Sequence, residues 1–175
     1  MPLTASKPEL LVGGDDRLFR RAVHDALGFS IRLQEIRNRL GETMGLSGPA
    51  YSILIAIQHL GQDEEEVGVS RVSEHLHLSG AFVTIEVGKL VKIGLVDKRP
   101  HHEDGRRVLL TVTAAGLRLL EELTETQRPV NDTIFAQLSA QQFHAFAEIM
   151  SSLVGGTEEA LALLHLRAEQ RRRLA

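Results

Sequence analysis

Apolar side chains return at three- and four-residue steps along most of this chain, the period of one buried face of an α-helix. From about Asp15 to Met44 the set Leu18, Ala22, Val23, Ala26, Leu27, Ile31, Leu33, Ile36, Leu40 and Met44 keeps that rhythm. It lapses clearly once. Between Leu95 and Val112 two short β-prone runs flank the polar stretch His101-His102-Glu103-Asp104-Gly105, a pattern that predicts a hairpin. The fold expected is mainly α with one small β element. Apolar residues make up 43% of the chain and aromatics only 4%, so a core is available and must be aliphatic.

Capping residues divide the helical pattern. Asp15 and Asp16 suit the start of the first helix, and Ser47-Gly48-Pro49 starts a second that carries Ile53, Leu54, Ile57 and Leu60 to Gly61. An acidic loop, Gln62 to Glu66, leads to a very short strand at Val67-Gly68-Val69. Ser70 then caps a two-turn helix bearing Val72 and Leu76. Ser79 caps the next helix, predicted to end at Gly94. At 100° per residue Val83, Val87, Leu90 and Val91 form its buried stripe, while Ala81, Thr84, Ile85, Gly88, Lys89 and Lys92 share the opposite arc. After the hairpin Thr113 caps a helix expected to break near Pro129. Ser139 and Gln142 form a capping box for the last helix, which Gly155-Gly156 is expected to break or bend before Thr157 restarts it toward Arg171-Arg172-Arg173.

Composition removes several classes of function. Without cysteine there is no disulfide, thiolate zinc site, iron–sulfur cluster or cysteine nucleophile. No apolar run reaches the roughly 20 residues that span a bilayer, and the first 16 residues lack a signal-peptide plan, so a soluble, cytoplasmic protein is expected. No phosphate-cradling glycine loop or nucleophile elbow is present, and the carboxylates are scattered, so the chain does not read as an enzyme. The formal net charge of −3 argues against nucleic acid only on the average. Residues 71–107 hold 7 Lys/Arg against 5 Asp/Glu and are the net-basic part. Local charge decides whether a face can meet phosphate.

Helix, helix, short strand, helix, helix, basic hairpin and long helices, in that order, describe a winged helix-turn-helix between long terminal helices. The terminal helices carry more apolar surface than so small a unit can cover, which points to pairing with a second copy. The chain resembles the MarR family of bacterial transcriptional regulators. The residues that carry the resemblance are Lys89-Leu90-Val91-Lys92-Ile93-Gly94-Leu95-Val96, then Arg99-Pro100, Glu103-Asp104-Gly105-Arg106-Arg107-Val108-Leu109-Leu110 and Thr111-Val112-Thr113-Ala114-Ala115-Gly116. Asp104 and Arg106 match the family's Asp-x-Arg wing signature.

That likeness implies a homodimer, a pseudo-palindromic double-stranded DNA operator, and release by a small aromatic or anionic effector, here an aromatic acid or its coenzyme A thioester. It divides the chain into a flexible segment (1–14), an N-terminal dimerisation helix (15–46), a winged helix-turn-helix (47–112) and C-terminal dimerisation helices with a basic tail (113–175). DNA contacts are expected from Ser79, Ala81, Thr84, Ile85, Lys89 and Lys92 on the recognition helix, and from Lys98, Arg99, His101, His102, Asp104, Arg106 and Arg107 on the wing. Arg106 is expected in the minor groove, with Asp104 bracing it. The helix departs from the family in being apolar at Ala81, Phe82 and Ile85. A protein-binding module without specific DNA recognition is the alternative reading. His24, Phe29, Arg32 and Tyr51 are the candidates for an effector cleft; no cofactor and no metal site is expected, because the histidines lack ligand spacing.

Overall fold

The computed structural model describes residues 2–64, 66–104 and 107–174. Six helices and one hairpin follow in order: α1 (Arg17–Thr43), α2 (Gly48–Asp63), α3 (Val69–Leu76), α4 (Gly80–Lys92), β1 (Val96–Pro100), β2 (Val108–Val112), α5 (Ala114–Phe135) and α6 (Ala140–Leu174). Short 3-10 turns at Pro8–Leu10 and Val12–Gly14 precede them. No described helix is long and apolar enough to cross a membrane.

The core lies in the unit formed by residues 1–127. It is built around α2, where Tyr51, Ile53, Leu54 and Ile57 are sealed, with Val72 from α3, Val83, Val87 and Leu90 from α4, and Val96, Leu110 and Val112 from the hairpin. The helical members are the positions that the apolar period selects, except Tyr51, expected to line an effector cleft; Val91, expected in the α4 stripe, sits at its edge and is exposed. β1 and β2 pair antiparallel from Val96↔Val112 to Pro100↔Val108. The expected strand at Val67–Val69 is a single bridge, Gly68 to Leu109, supported by the Leu110 amide donating to the Val67 carbonyl at 2.8 Å.

Several local expectations need correction. Gly68, not Ser70, stands at the N-cap of α3, which begins at Val69, two residues earlier than predicted. The carboxylate of Asp16 does not cap α1. It accepts from the Thr4 amide and hydroxyl at 2.7 Å each and pairs with Arg20 at 2.7 Å. Those donors stabilise the carboxylate and hold its pKa far below the usual range, Arg20 first and the Thr4 amide second. α5 continues through Pro129, although the ring removes one backbone donor. α6 likewise runs through Gly155-Gly156 without a break. Each glycine costs an exposed helix only about 1 kcal/mol, and the Ala, Leu and Glu around the pair are strong helix formers. In residues 128–175, Phe135, Phe143 and Phe146 cluster with ring centroids 5.3–6.4 Å apart, and none of the described side chains of α6 is buried.

Candidate nucleic-acid interface

α4 is held at both ends and along one side. The Ser79 hydroxyl accepts from the Phe82 amide at 3.3 Å, satisfying one of the orphan N–H groups of the first turn. At the other end Gly94 turns with φ 77°, and the Thr113 hydroxyl donates to its carbonyl at 2.7 Å. The inner side buries Val83, Val87 and Leu90 together with one carboxylate, Glu86, at 5% exposure. Glu86 is compensated by Lys89 at 2.6 Å and faces the Ser47 hydroxyl at 3.5 Å. Lys89 is therefore tied back to its own helix, whereas Lys92 has no acidic partner among the described residues. Ala81, Thr84, Ile85 and Lys92 are exposed on the outer side, as the helical wheel predicts.

The hairpin stands beside this helix. Lys98 and Arg99 are exposed on β1, again without an acidic partner among the described residues. Its tip is closed by the His101 amide donating to Arg107 O at 3.0 Å and the Arg107 amide donating to Asp104 O at 2.9 Å. Gly105 and Arg106 lie outside the described residues, so the expected pairing of Asp104 with Arg106 and the minor-groove role of Arg106 do too.

His101 does not point outward with the other wing residues. It is 6% exposed, and its Nδ1 accepts from the amides of Glu103 and Asp104 at 3.1 and 3.2 Å. Two donors aimed at Nδ1 leave the ring proton on Nε2, which stands 2.9 Å from the Glu66 carboxylate. Glu66 also lies 3.9 Å from the Arg107 guanidinium and 4.0 Å from His102. The His101 hydrogen bond, against a smaller opposing effect of burial, lowers the Glu66 pKa. Glu66, His101 and His102 could place three donor atoms around a cation. Metal at His101 Nε2 would require the proton to move to Nδ1, against two N–H groups, so the donor set fits a hydrogen-bonded wing anchor instead. Glu66 was not foreseen. It is 35 residues from His101, and no local pattern links them.

A cleft of about 670 Å³ opens between α1, α2, α3 and the start of α4. Arg37, Ser52, His59, His75, Ile55 and Phe82 are among its walls. The Arg37 Nε–H donates to the Ser52 hydroxyl at 3.1 Å, and its guanidinium lies 5.2 Å over the Tyr51 ring. The His59 and His75 rings are 5.8 Å apart. Partial desolvation, with the His59 ring second, holds His75 below the ordinary histidine value of 6.5. None of the four sequence-derived candidates is among the wall residues. His24 is exposed on α1, Phe29 is half-buried, and Arg32 is exposed with its guanidinium donating to Gly28 O at 3.2 Å. Tyr51 is sealed beneath Arg37, and burial pushes its phenol up in pKa.

No protein-family model matches the chain. It is 28% identical over 111 residues to the HTH-type transcriptional repressor IacR of Pseudomonas putida. That alignment covers 63% of this chain and 64% of the repressor, so the chain spans just under two thirds of that relative's length. Among solved structures it is similar to the PcaV transcriptional regulator of Streptomyces coelicolor in complex with its natural ligand, with 27% identity, a TM-score of 0.59 and coverage of 74% of this chain and 91% of that one. The fold is also shared with a MarR/EmrR family transcriptional regulator from Acinetobacter sp. ADP1, with 16% identity, a TM-score of 0.68 and coverage of 82% and 99%.

Proposed function

We propose that this chain is a MarR-type winged helix-turn-helix regulator that binds DNA as a homodimer and represses transcription from a pseudo-palindromic operator. One observation carries the reading. A capped helix with a free outer face, and a hairpin with exposed Lys98 and Arg99, lie side by side in one packed unit of a chain whose overall charge is negative. Such an arrangement sets a helix into a major groove while the hairpin reaches phosphate and the neighbouring minor groove. IacR is named a repressor, which supports the sign of regulation.

The cleft suits a small anionic effector, and Arg37 is placed to meet a carboxylate. PcaV is solved with its natural ligand, which supports ligand control in this chain. Phe82 belongs both to the cleft wall and to the first turn of α4, so an occupant would press on the helix that reads DNA.

The test is fluorescence anisotropy on the DNA upstream of the gene. Specific binding is expected to weaken steeply with salt, because Lys and Arg displace condensed counterions. Arg106→Ala is expected to lower specific affinity about tenfold or more without lowering Tm. Equal affinity in the variant would remove the wing from the interface. No salt-dependent binding to any duplex would leave the protein-binding module as the reading.

A further inference from the structure

The outer face of α4 has few ways to recognise a base edge. Ile85 stands near its centre at 60% exposure, with Ala81 one turn before it. A side chain at Gly88 would meet nothing within 4 Å, so the helix is open there to close approach. The Thr84 hydroxyl donates its one proton to Gly80 O at 2.8 Å. Lys89 is held at 2.6 Å by the buried Glu86. Thr84 can therefore meet a base only as an acceptor, and the largest exposed group over the first two turns is the Ile85 hydrocarbon, with the Lys89 and Lys92 ammonium groups beyond it.

In the major groove the one apolar group on a base edge is the C5-methyl of thymine. Charge complementarity decides the occupant of this face. Lys92 on the same arc, and Lys98 and Arg99 on the hairpin strand packed against α4, add exposed cations that suit phosphate. Resting on the DNA-binding reading above, we propose that Ile85, flanked by Ala81 and the Thr84 methyl group, reads thymine C5-methyl groups, and that each operator half-site carries thymine where Ile85 lands. The Lys and Arg side chains supply affinity without sequence. Ile85 supplies part of the sequence preference by excluding water from a methyl group instead of by hydrogen bonding.

The experiment uses the full chain. Duplexes that it binds specifically are selected from a random pool, and each thymine of the selected site is then replaced by uracil, which deletes the methyl and keeps the base pair. Affinity is expected to fall about fourfold at one thymine in one half-site, the worth of one buried methyl, and about 15-fold when both half-sites are changed. Ile85→Ala is expected to melt like the parent, since the side chain is exposed, and to bind thymine and uracil duplexes alike. Specific binding by the parent that ignores uracil at every position would overturn the inference and leave the DNA-binding reading standing. So would an Ile85→Ala protein that keeps the full thymine preference. Failure to select any duplex would overturn both.

Discussion

Gly116 has no room for a methyl group. A Cβ there would stand 2.5 Å from the Leu95 carbonyl oxygen and 2.7 Å from a Val112 methyl, and the first of these is backbone that cannot swing aside. Three residues earlier the Thr113 hydroxyl accepts from the Gly116 amide at 3.1 Å while donating to Gly94 O. The pair thus bolts the start of α5 to the turn between α4 and β1. Gly116→Ala is expected to cost about 1–3 kcal/mol, an overpacking penalty, and to lower Tm by roughly 2–10 °C. Gly155→Ala, where the new methyl meets nothing within 4 Å, is the control and is expected to leave Tm unchanged or raise it. Equal melting of the two variants would refute the steric account. A sequence displays Thr113 and Gly116 as a cap and a neighbour, but the carbonyl that forbids the side chain comes from 21 residues away. Local capping was legible for the same reason that this was not: the Ser139–Gln142 pair satisfies itself within four residues, at 2.8 and 3.3 Å.

At the level of elements, period and caps foretold most helix starts, because helix ends must satisfy their own amides within one turn. They did not foretell continuity through Pro129 and Gly155-Gly156, which local preference opposes, nor which arginine of α1 meets the cleft. Arg32 and Arg37 differ by five positions, about 140° of rotation, and both look like surface charge until α2 is in place. The cleft makes a pH prediction. His75 is held below its ordinary value of 6.5, so between that lowered value and 6.5 the folded chain binds fewer protons than the unfolded one. Its contribution to stability is complete above pH 6.5 and is lost as pH falls through the folded value. A carboxylate bound beside Arg37 reverses that bias by favouring the imidazolium. Titration calorimetry of an aromatic carboxylate such as benzoate, near pH 6 in buffers of different ionisation enthalpy, is expected to show net proton uptake and tighter binding at lower pH. His75→Gln is expected to abolish the uptake, and Arg37→Ala to weaken binding about tenfold. Binding with no proton linkage in the parent would exclude His75 from the site.

At the scale of the whole molecule the unexplained feature is apolar surface. On α1, Leu18, Val23, Leu27 and Ile31 are 41–68% exposed. On α6, Phe143, Ile149, Leu153, Leu161, Leu163, Leu164 and Leu166 are 47–61% exposed. Scattered single residues of this kind are ordinary, but rows on two long helices exceed what a monomer usually leaves wet. A closed twofold dimer would cover like with like, and binding a pseudo-palindromic operator on one face of the duplex would require its two α4 helices to stand about one duplex turn, or roughly 34 Å, apart. The two requirements coincide in one species, so breaking the pair should break the reading of DNA. Sedimentation velocity at micromolar concentration is expected to give twice 19.3 kDa for the parent. Ile31→Glu, placed on an exposed position and repeated by symmetry, is expected to shift the population toward the monomer and to weaken operator binding at least tenfold, while its circular dichroism stays helical. A parent that sediments as a monomer would refute the dimer. A monomeric Ile31→Glu protein that binds the operator as tightly as the parent would separate dimerisation from recognition.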